Sequence, residues 1–298
     1  MAVSLPATLS GSDAKTRSGP PRRSTRRFLV GVANHCVAIA LCAALLVPFL
    51  FIIGMALMPD REALGNGLIP HHLEWGNFSR VLHLFPFWHY LGNTLLYSVL
   101  STVGVVVSSL PVAYALARLQ WRGRETVMLV ILATMMLPTA VTSVSLYSVY
   151  VNLGWIGTLK PLIVPLFFGD AFSIFLLRQF LRTIPEDLSD AARVDGAGDL
   201  RIMLRIIVPL AKPAIAAVAL FNFLYTWNDF FTPLVYTGNN NGAWTLTVAL
   251  SQFTTLQRGS LYNLQMAGTL LFMAPIIVLF FFAQRAFVEG VTLTGVKG

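Results

Sequence analysis

The sequence predicts an all-α integral membrane protein with six transmembrane helices and a cytoplasmic helix-turn-helix between the fourth and fifth. Three observations carry this. Of 298 residues, 56% are hydrophobic and only 11% are charged, well outside the range of an ordinary soluble domain. Six apolar stretches meet the requirement of about 20 residues for a helix crossing a hydrocarbon core roughly 30 Å thick. They fall near residues 30–58, 90–116, 127–150, 161–181, 212–236 and 264–287. Lys and Arg then divide 17 to 4 between the two sets of connecting segments. By the positive-inside rule the richer set, which includes both termini and the stretch from Pro185 to Pro209, faces the cytoplasm.

Residues 1–27 are rich in Ser, Thr, Gly, Pro and Arg, and are expected to be a disordered basic extension. The arginines from Arg22 to Arg27 resemble the charged start of a signal peptide. The following apolar run is long enough to stay in the bilayer, and the expectation is an uncleaved anchor. A single membrane domain then fills 28–298. Cys36 and Cys42 share the first span, about 9 Å apart along a helix, too far for a disulfide.

The first external segment, 59–89, contains four of the five histidines. His71 and His72 are adjacent and no cysteine joins them, so an interfacial segment rich in aromatics fits better than a metal site. Pro48, Pro111, Pro138 and Pro275 lie in spans one, two, three and six, each freeing a carbonyl that neighbours must satisfy, so bundled and locally bent helices are expected.

Polar groups inside the spans are candidates for a solute pathway, because a charge near the bilayer centre costs roughly 2.5–3.5 kcal/mol on insertion scales. Asp170 lies in span four, where it faces protein or water unless the helix breaks at Gly169. Asn222, Tyr225, Asn228 and Asp229 follow one another along one side of span five. Each also fits hydrogen bonding between helices, Asp229 most of all because it lies nearer the outer end. The segment 237–263 opens with Gly and Asn and is expected to be a solvated loop, or a surface meeting an extracytoplasmic protein.

The stretch 185–209 is dense in charge yet close to neutral. Pro185, Glu186 and Asp187 suit a helix start, with Leu188, Ala191 and Ala192 giving a narrow face of small residues. Gly196 and Gly198 end that helix. Asp199 is expected to cap a second one with an apolar stripe of Leu200, Met203, Leu204 and Ile207, limited by Pro209. No Gly-Lys dipeptide occurs anywhere, so no Walker-type phosphate loop is present, and no metal or nucleophile motif appears. Energy for any active process has to come from a partner or an ion gradient.

Asp190-Ala191-Ala192, three residues, Gly196, nine residues, then Ile206-Ile207-Val208-Pro209 resembles the EAA loop of ABC importer permeases, with Asp for Glu and Val for Leu. The sequences Asn93-Thr94-Leu95, Ala113 to Arg118, Leu176 to Phe180, Trp227 to Phe230 and the final Gly295-Val296-Lys297-Gly298 are similar to the maltose-transporter-type, carbohydrate-importing branch. The resemblance implies a permease in the cell membrane that works with a second, different permease, two ATPase subunits and an extracytoplasmic solute-binding protein. This chain would bind no cofactor and no nucleic acid; ATP and Mg would sit on the ATPases. Asp190, Ala191, Ala192, Gly196, Ile206 and Pro209 would form the coupling element that sits on an ATPase, and the Gly295–Gly298 tail would insert between the ATPases. An ion-coupled secondary transporter or channel using Asp170 is the alternative, and a membrane enzyme is a third class without visible catalytic groups.

Overall fold

The computed structural model describes residues 23–63, 70–84, 86–256 and 261–292. The chain divides between Leu50 and Phe51 into two units. In the first, helix α1 (Arg23–Ala56) begins, and its stretch Val30–Ala56 is long and apolar enough to cross a membrane, with Pro48 inside it. Cys36 and Cys42 are free thiols.

Every regular element among the described residues of the second unit is a helix. Two short helices, α2 (Asp60–Ala63) and α3 (Gly76–Leu84), precede the long α4 (Phe87–Arg118). Helices α5 (Arg124–Thr134) and α6 (Thr139–Asn152) follow, then α7 (Lys160–Ile163), a 3₁₀ turn at Val164–Phe168, and α8 (Ala171–Leu181). The next stretch holds α9 (Asp187–Val194), α10 (Asp199–Ile202), a π turn at Met203–Ile207 and α11 (Val208–Leu210). Finally come α12 (Lys212–Asn228), α13 (Phe231–Thr237), α14 (Leu246–Leu256) and α15 (Tyr262–Thr292).

Among the described residues, four helical segments are individually long and apolar enough to cross a membrane: Val30–Ala56, Phe87–Arg118, Lys160–Leu181 and Tyr262–Phe281. The other two expected spans are broken. The stretch 127–150 divides into α5 and α6, which meet at 94°. Pro138 explains the corner, because it donates no N–H and drives the residue before it out of the α region. The stretch 212–236 ends as a helix at Asn228, where Asp229 turns extended with ψ 122°. Span four also differs, because Gly169 at φ 102° separates the 3₁₀ turn from α8.

Helix α4 is the centre of the bundle, packing along α8, α12 and the 3₁₀ turn. The turn comes so close that a Cβ on Gly104 would stand 2.7 Å from the Phe167 ring, so any larger residue would have to displace that ring. One apolar core joins Val81, Phe87, Trp227, Leu246, Leu264 and Phe272; another, at the end carrying α9, joins Val105, Tyr114, Leu177, Leu181, Ile202 and Val218. Trp227 is fully buried and stacks between Phe223 and Phe272, with centroids at 5.5 and 5.3 Å.

Beyond α13, the expected loop is largely a helix. Leu246, Ala249 and Leu250 of α14 fall at i, i+3, i+4 and are buried in the first of these cores. Polar residues interleaved with this stripe made the segment read as solvated. Near α3, the ring nitrogens of His83 and His89 meet the carbonyls of Ser79 and Gly242, both at 2.7 Å.

Candidate functional site

The segment from Pro185 to Leu210 folds as a hairpin of two helical arms, and its local signals explain the turn. At the end of α9, the Gly196 N–H bonds to the Arg193 carbonyl and the Ala197 N–H to the Ala192 carbonyl. This is the Schellman pattern, which places the residue after the C-cap in the left-handed region. Gly196 occupies that place at φ 79°. Gly198, not Asp199, is the N-cap of the second arm, with ψ 161°.

The second arm departs from expectation in two ways. It passes through Pro209 and continues to Leu210, and it contains a π turn. Pro209 supplies no N–H for the carbonyl one turn earlier, and in the wider turn the Val208 N–H reaches back to Met203. The wider turn also shifts the buried stripe. Ile202, Met203 and Ile207 face the core, whereas Leu200 and Leu204 are exposed.

Asp190 pairs with Arg193 at 2.8 Å, and Arg193 reaches Asp199 on the other arm at 3.4 Å, bracing the hairpin across its turn. Those carboxylates, Asp190 first, hold the Arg193 guanidinium above its usual range. The pair is solvent-exposed and contributes about 0–1 kcal/mol, so its effect is on geometry. Ala192 and Ala197 pack against the core, while Leu188, Ala191 and Val194 turn outward, Val194 being 88% exposed. Ile206 is half-buried and Pro209 exposed.

Two arginines fasten the hairpin end of the bundle. Arg178 on α8 is only 4% exposed; its Nε donates to the Leu116 carbonyl, and its Nη2 reaches both carboxylate oxygens of Glu125, at 2.6 and 2.8 Å. Arg118, the last residue of α4, is equally buried and donates through Nη2 to the Ile184 carbonyl at 2.6 Å. Between the tip of α4 and α9 lies a cleft of about 550 Å³, lined by Arg118, Trp121, Glu186, Ser189, Arg193 and Asp199 among others. In the sequence both arginines serve as topology signals and as part of the stretches similar to the carbohydrate-importing branch; their position inside or at the edge of an apolar run is the clue to burial.

The mid-span polar residues divide into ties and open groups. Asp170 is the N-cap of α8: one carboxylate oxygen accepts from the Ser173 N–H at 2.8 Å and from its hydroxyl at 2.6 Å. Asn222 donates to the Thr102 hydroxyl at 3.2 Å, joining α12 to α4. Asn228 bonds back to the Leu224 carbonyl. Asp229 accepts from the Tyr97 hydroxyl at 2.9 Å and from the Thr232 N–H at 3.1 Å. Tyr225 stands apart, 62% exposed. The two helix breaks, at Gly169 and at Asp229, each carry a carboxylate.

At the other end, Asn93 donates to the carbonyls of Gly242 and Trp244, and the Thr94 hydroxyl accepts the N–H of Leu246. These two side chains of α4 anchor the start of α14. Gly295, Val296, Lys297 and Gly298 lie outside the described residues, as does most of the basic extension. No group of three or more His, Cys, Asp or Glu side chains able to hold a metal ion occurs among the described residues.

A family model described as "Binding-protein-dependent transport system inner membrane component" matches residues 109–293, from the middle of α4 through α15 and across the whole hairpin. The chain belongs to this family. The permease is 32% identical to the arabinooligosaccharides transport system permease protein AraQ of Halalkalibacterium halodurans, over 84% of this chain and 91% of that one. It is also 32% identical to the osmoprotective compounds uptake permease protein GgtD of Synechocystis, over 88% and 91% of the two chains. Among solved structures, a bacterial ABC transporter involved in the import of the acidic polysaccharide alginate superposes with a TM-score of 0.75 at 25% identity. That match covers 90% of this chain and all of the other. The permease is thus a multi-pass membrane transport subunit of the binding-protein-dependent type.

Proposed function

We propose that the permease imports a carbohydrate or a related polar solute, and that the hairpin 185–209 couples it to an ATPase partner. The observation that carries the coupling is the outward apolar row Leu188, Ala191 and Val194 on α9, with Leu200 of the second arm also 67% exposed. These side chains stand on a braced hairpin rather than in a lipid-facing span, so a protein surface is their natural partner. Small residues in the row let that partner's backbone approach closely. Asp190, Ala191, Ala192 and Gly196 shape the contact, and Ile206 and Pro209 carry it toward α12.

The assembly comprises this chain, a second homologous permease, two ATPases that hold ATP and Mg, and an extracytoplasmic solute-binding protein. The hairpin and both termini face the cytoplasm, in keeping with the distribution of Lys and Arg. The tail Gly295–Gly298 lies against the ATPases. Asp170, Asn222, Tyr225, Asn228 and Asp229 border the solute path, where the two breaks present polar groups within the bundle. The oligosaccharide and osmolyte systems named for the relatives support the solute class.

The test is co-purification. With the partner subunits co-expressed, Leu188→Arg and Ala191→Arg should release the ATPase while the permease remains in the membrane with its companion. Full retention of the ATPase by both variants defeats the docking role. Uptake that survives an inactivated ATPase and collapses with the proton gradient defeats the importer reading as a whole.

A further inference from the structure

We propose that Arg118 is the positioning residue that carries movement of the hairpin into α4, and that Glu186 is its second partner when the cleft between them closes. This rests on the reading that an ATPase docks on α9. Arg118 is 6% exposed, yet among the described residues it has no carboxylate within ion-pair distance, and its Nε has no hydrogen-bond partner. Its one bond in the structure runs to the Ile184 carbonyl, immediately before the hairpin. A buried cation left without a counter-charge is unfavourable, and the arrangement gains by supplying one.

The cleft contains the acceptor. Asp190 and Asp199 are both engaged by Arg193. Glu186, at the N-cap of α9, is exposed and forms no ion pair among the described residues. It is also the carboxylate whose charge acts on Arg118. The Ser189 hydroxyl, which lines the same cleft, is buried and lacks a partner as well, so a second polar group beneath α9 is left unsatisfied. Pressing α9 toward the bundle brings Glu186 onto the Nε of Arg118 and adds a charged bond to the closed arrangement. Withdrawing α9 leaves only the bond to Ile184. The pair thus biases two positions of the hairpin, which is what a transmitting element requires.

The experiment uses the complete importer in proteoliposomes and reads the ratio of ATP hydrolysis with binding protein to that without it. Glu186→Gln changes an exposed side chain and should lower this ratio about 5-fold or more, the lower end of usual coupling factors, with the complex intact by gel filtration. Glu186→Asp should restore part of it, and Arg118→Gln combined with Glu186→Gln should be no worse than Arg118→Gln alone. A wild-type ratio in Glu186→Gln, or losses that multiply in the double variant, overturns the partnership while leaving ATPase docking intact. Failure of the wild-type permease to retain the ATPase overturns docking and this inference together.

Discussion

The Tyr97 hydroxyl donates to Asp229 at 2.9 Å and so ties the central helix α4 to the break at which α12 ends. Among the described residues the Asp229 carboxylate accepts one other hydrogen bond, from the Thr232 N–H in the first turn of α13. Tyr97→Phe should lower stability by about 1.5–3 kcal/mol, the usual worth of a hydrogen bond to a charged group. Asp229→Ala, which loses both contacts, should cost more. Thermal unfolding of the detergent-solubilised permease checks the order; equal midpoints for wild type and Tyr97→Phe would show the bond to be idle.

Asp170 separates capping from charge. Asp170→Ala should cost about 1 kcal/mol through the lost N-cap, whereas Asp170→Asn retains an acceptor and should stay near wild type in stability. If the carboxylate borders the solute path, uptake by the assembled importer changes in both variants. Wild-type uptake in Asp170→Asn would restrict the residue to capping.

At Gly196 the space is open, with nothing within 4 Å of an added Cβ, so the demand is on φ alone. Gly196→Val should cost roughly 1–2 kcal/mol locally and weaken the link between ATP hydrolysis and transport. Gly196→Asn should be milder, since Asn tolerates the left-handed region. Equal coupling in the two variants would locate the effect elsewhere.

Asp60 and Arg80 form a two-bond pair, both bonds at 2.9 Å, with Asn263 donating to Asp60 at 2.8 Å. The bond from Arg80, then that from Asn263, holds the Asp60 carboxyl below the usual range. A depressed carboxyl contributes stability above its unfolded pKa of about 3.9, and that contribution is lost as pH falls through the folded value. Melting temperature should therefore fall more steeply below about pH 4 in wild type than in Asp60→Asn. Parallel profiles would contradict the pairing.

Much of the architecture was legible because lipid imposes a simple rule on sequence: long apolar runs became membrane-length helices, and charge collected in the hairpin. The hairpin's turn was legible because Gly196 is required by backbone geometry. The breaks were less so. Gly169 and Asp229 stop helices inside runs that remain apolar on average, and the reason lies in local backbone conformation and in bonds to distant partners, Tyr97 and Ser109 among them. Burial of Arg178 depends on Glu125, 53 residues away, and no local pattern announces such a pairing. The helix α14 was hidden because its apolar residues are interrupted by three threonines, Ser251 and Gln252, and a short stripe suffices once α15 lies against it. There, Leu250 approaches Gly268 so closely that an added Cβ would be 2.7 Å from it.

The second arm of the hairpin, Asp199–Leu210, meets α12 at 78° with Ala211 alone between them. If the hairpin couples to an ATPase as proposed, two rods sharing so short a corner would work as a bell crank, in which a stroke delivered to one rod leaves along the other in a new direction. Ala211 is fully buried at the pivot and its N–H remains bonded to Ile207, so the corner is held by hydrogen bonding and packing rather than left slack. The size of its methyl group therefore sets how closely the two rods meet, and a bulkier side chain there would act as a wedge in the linkage.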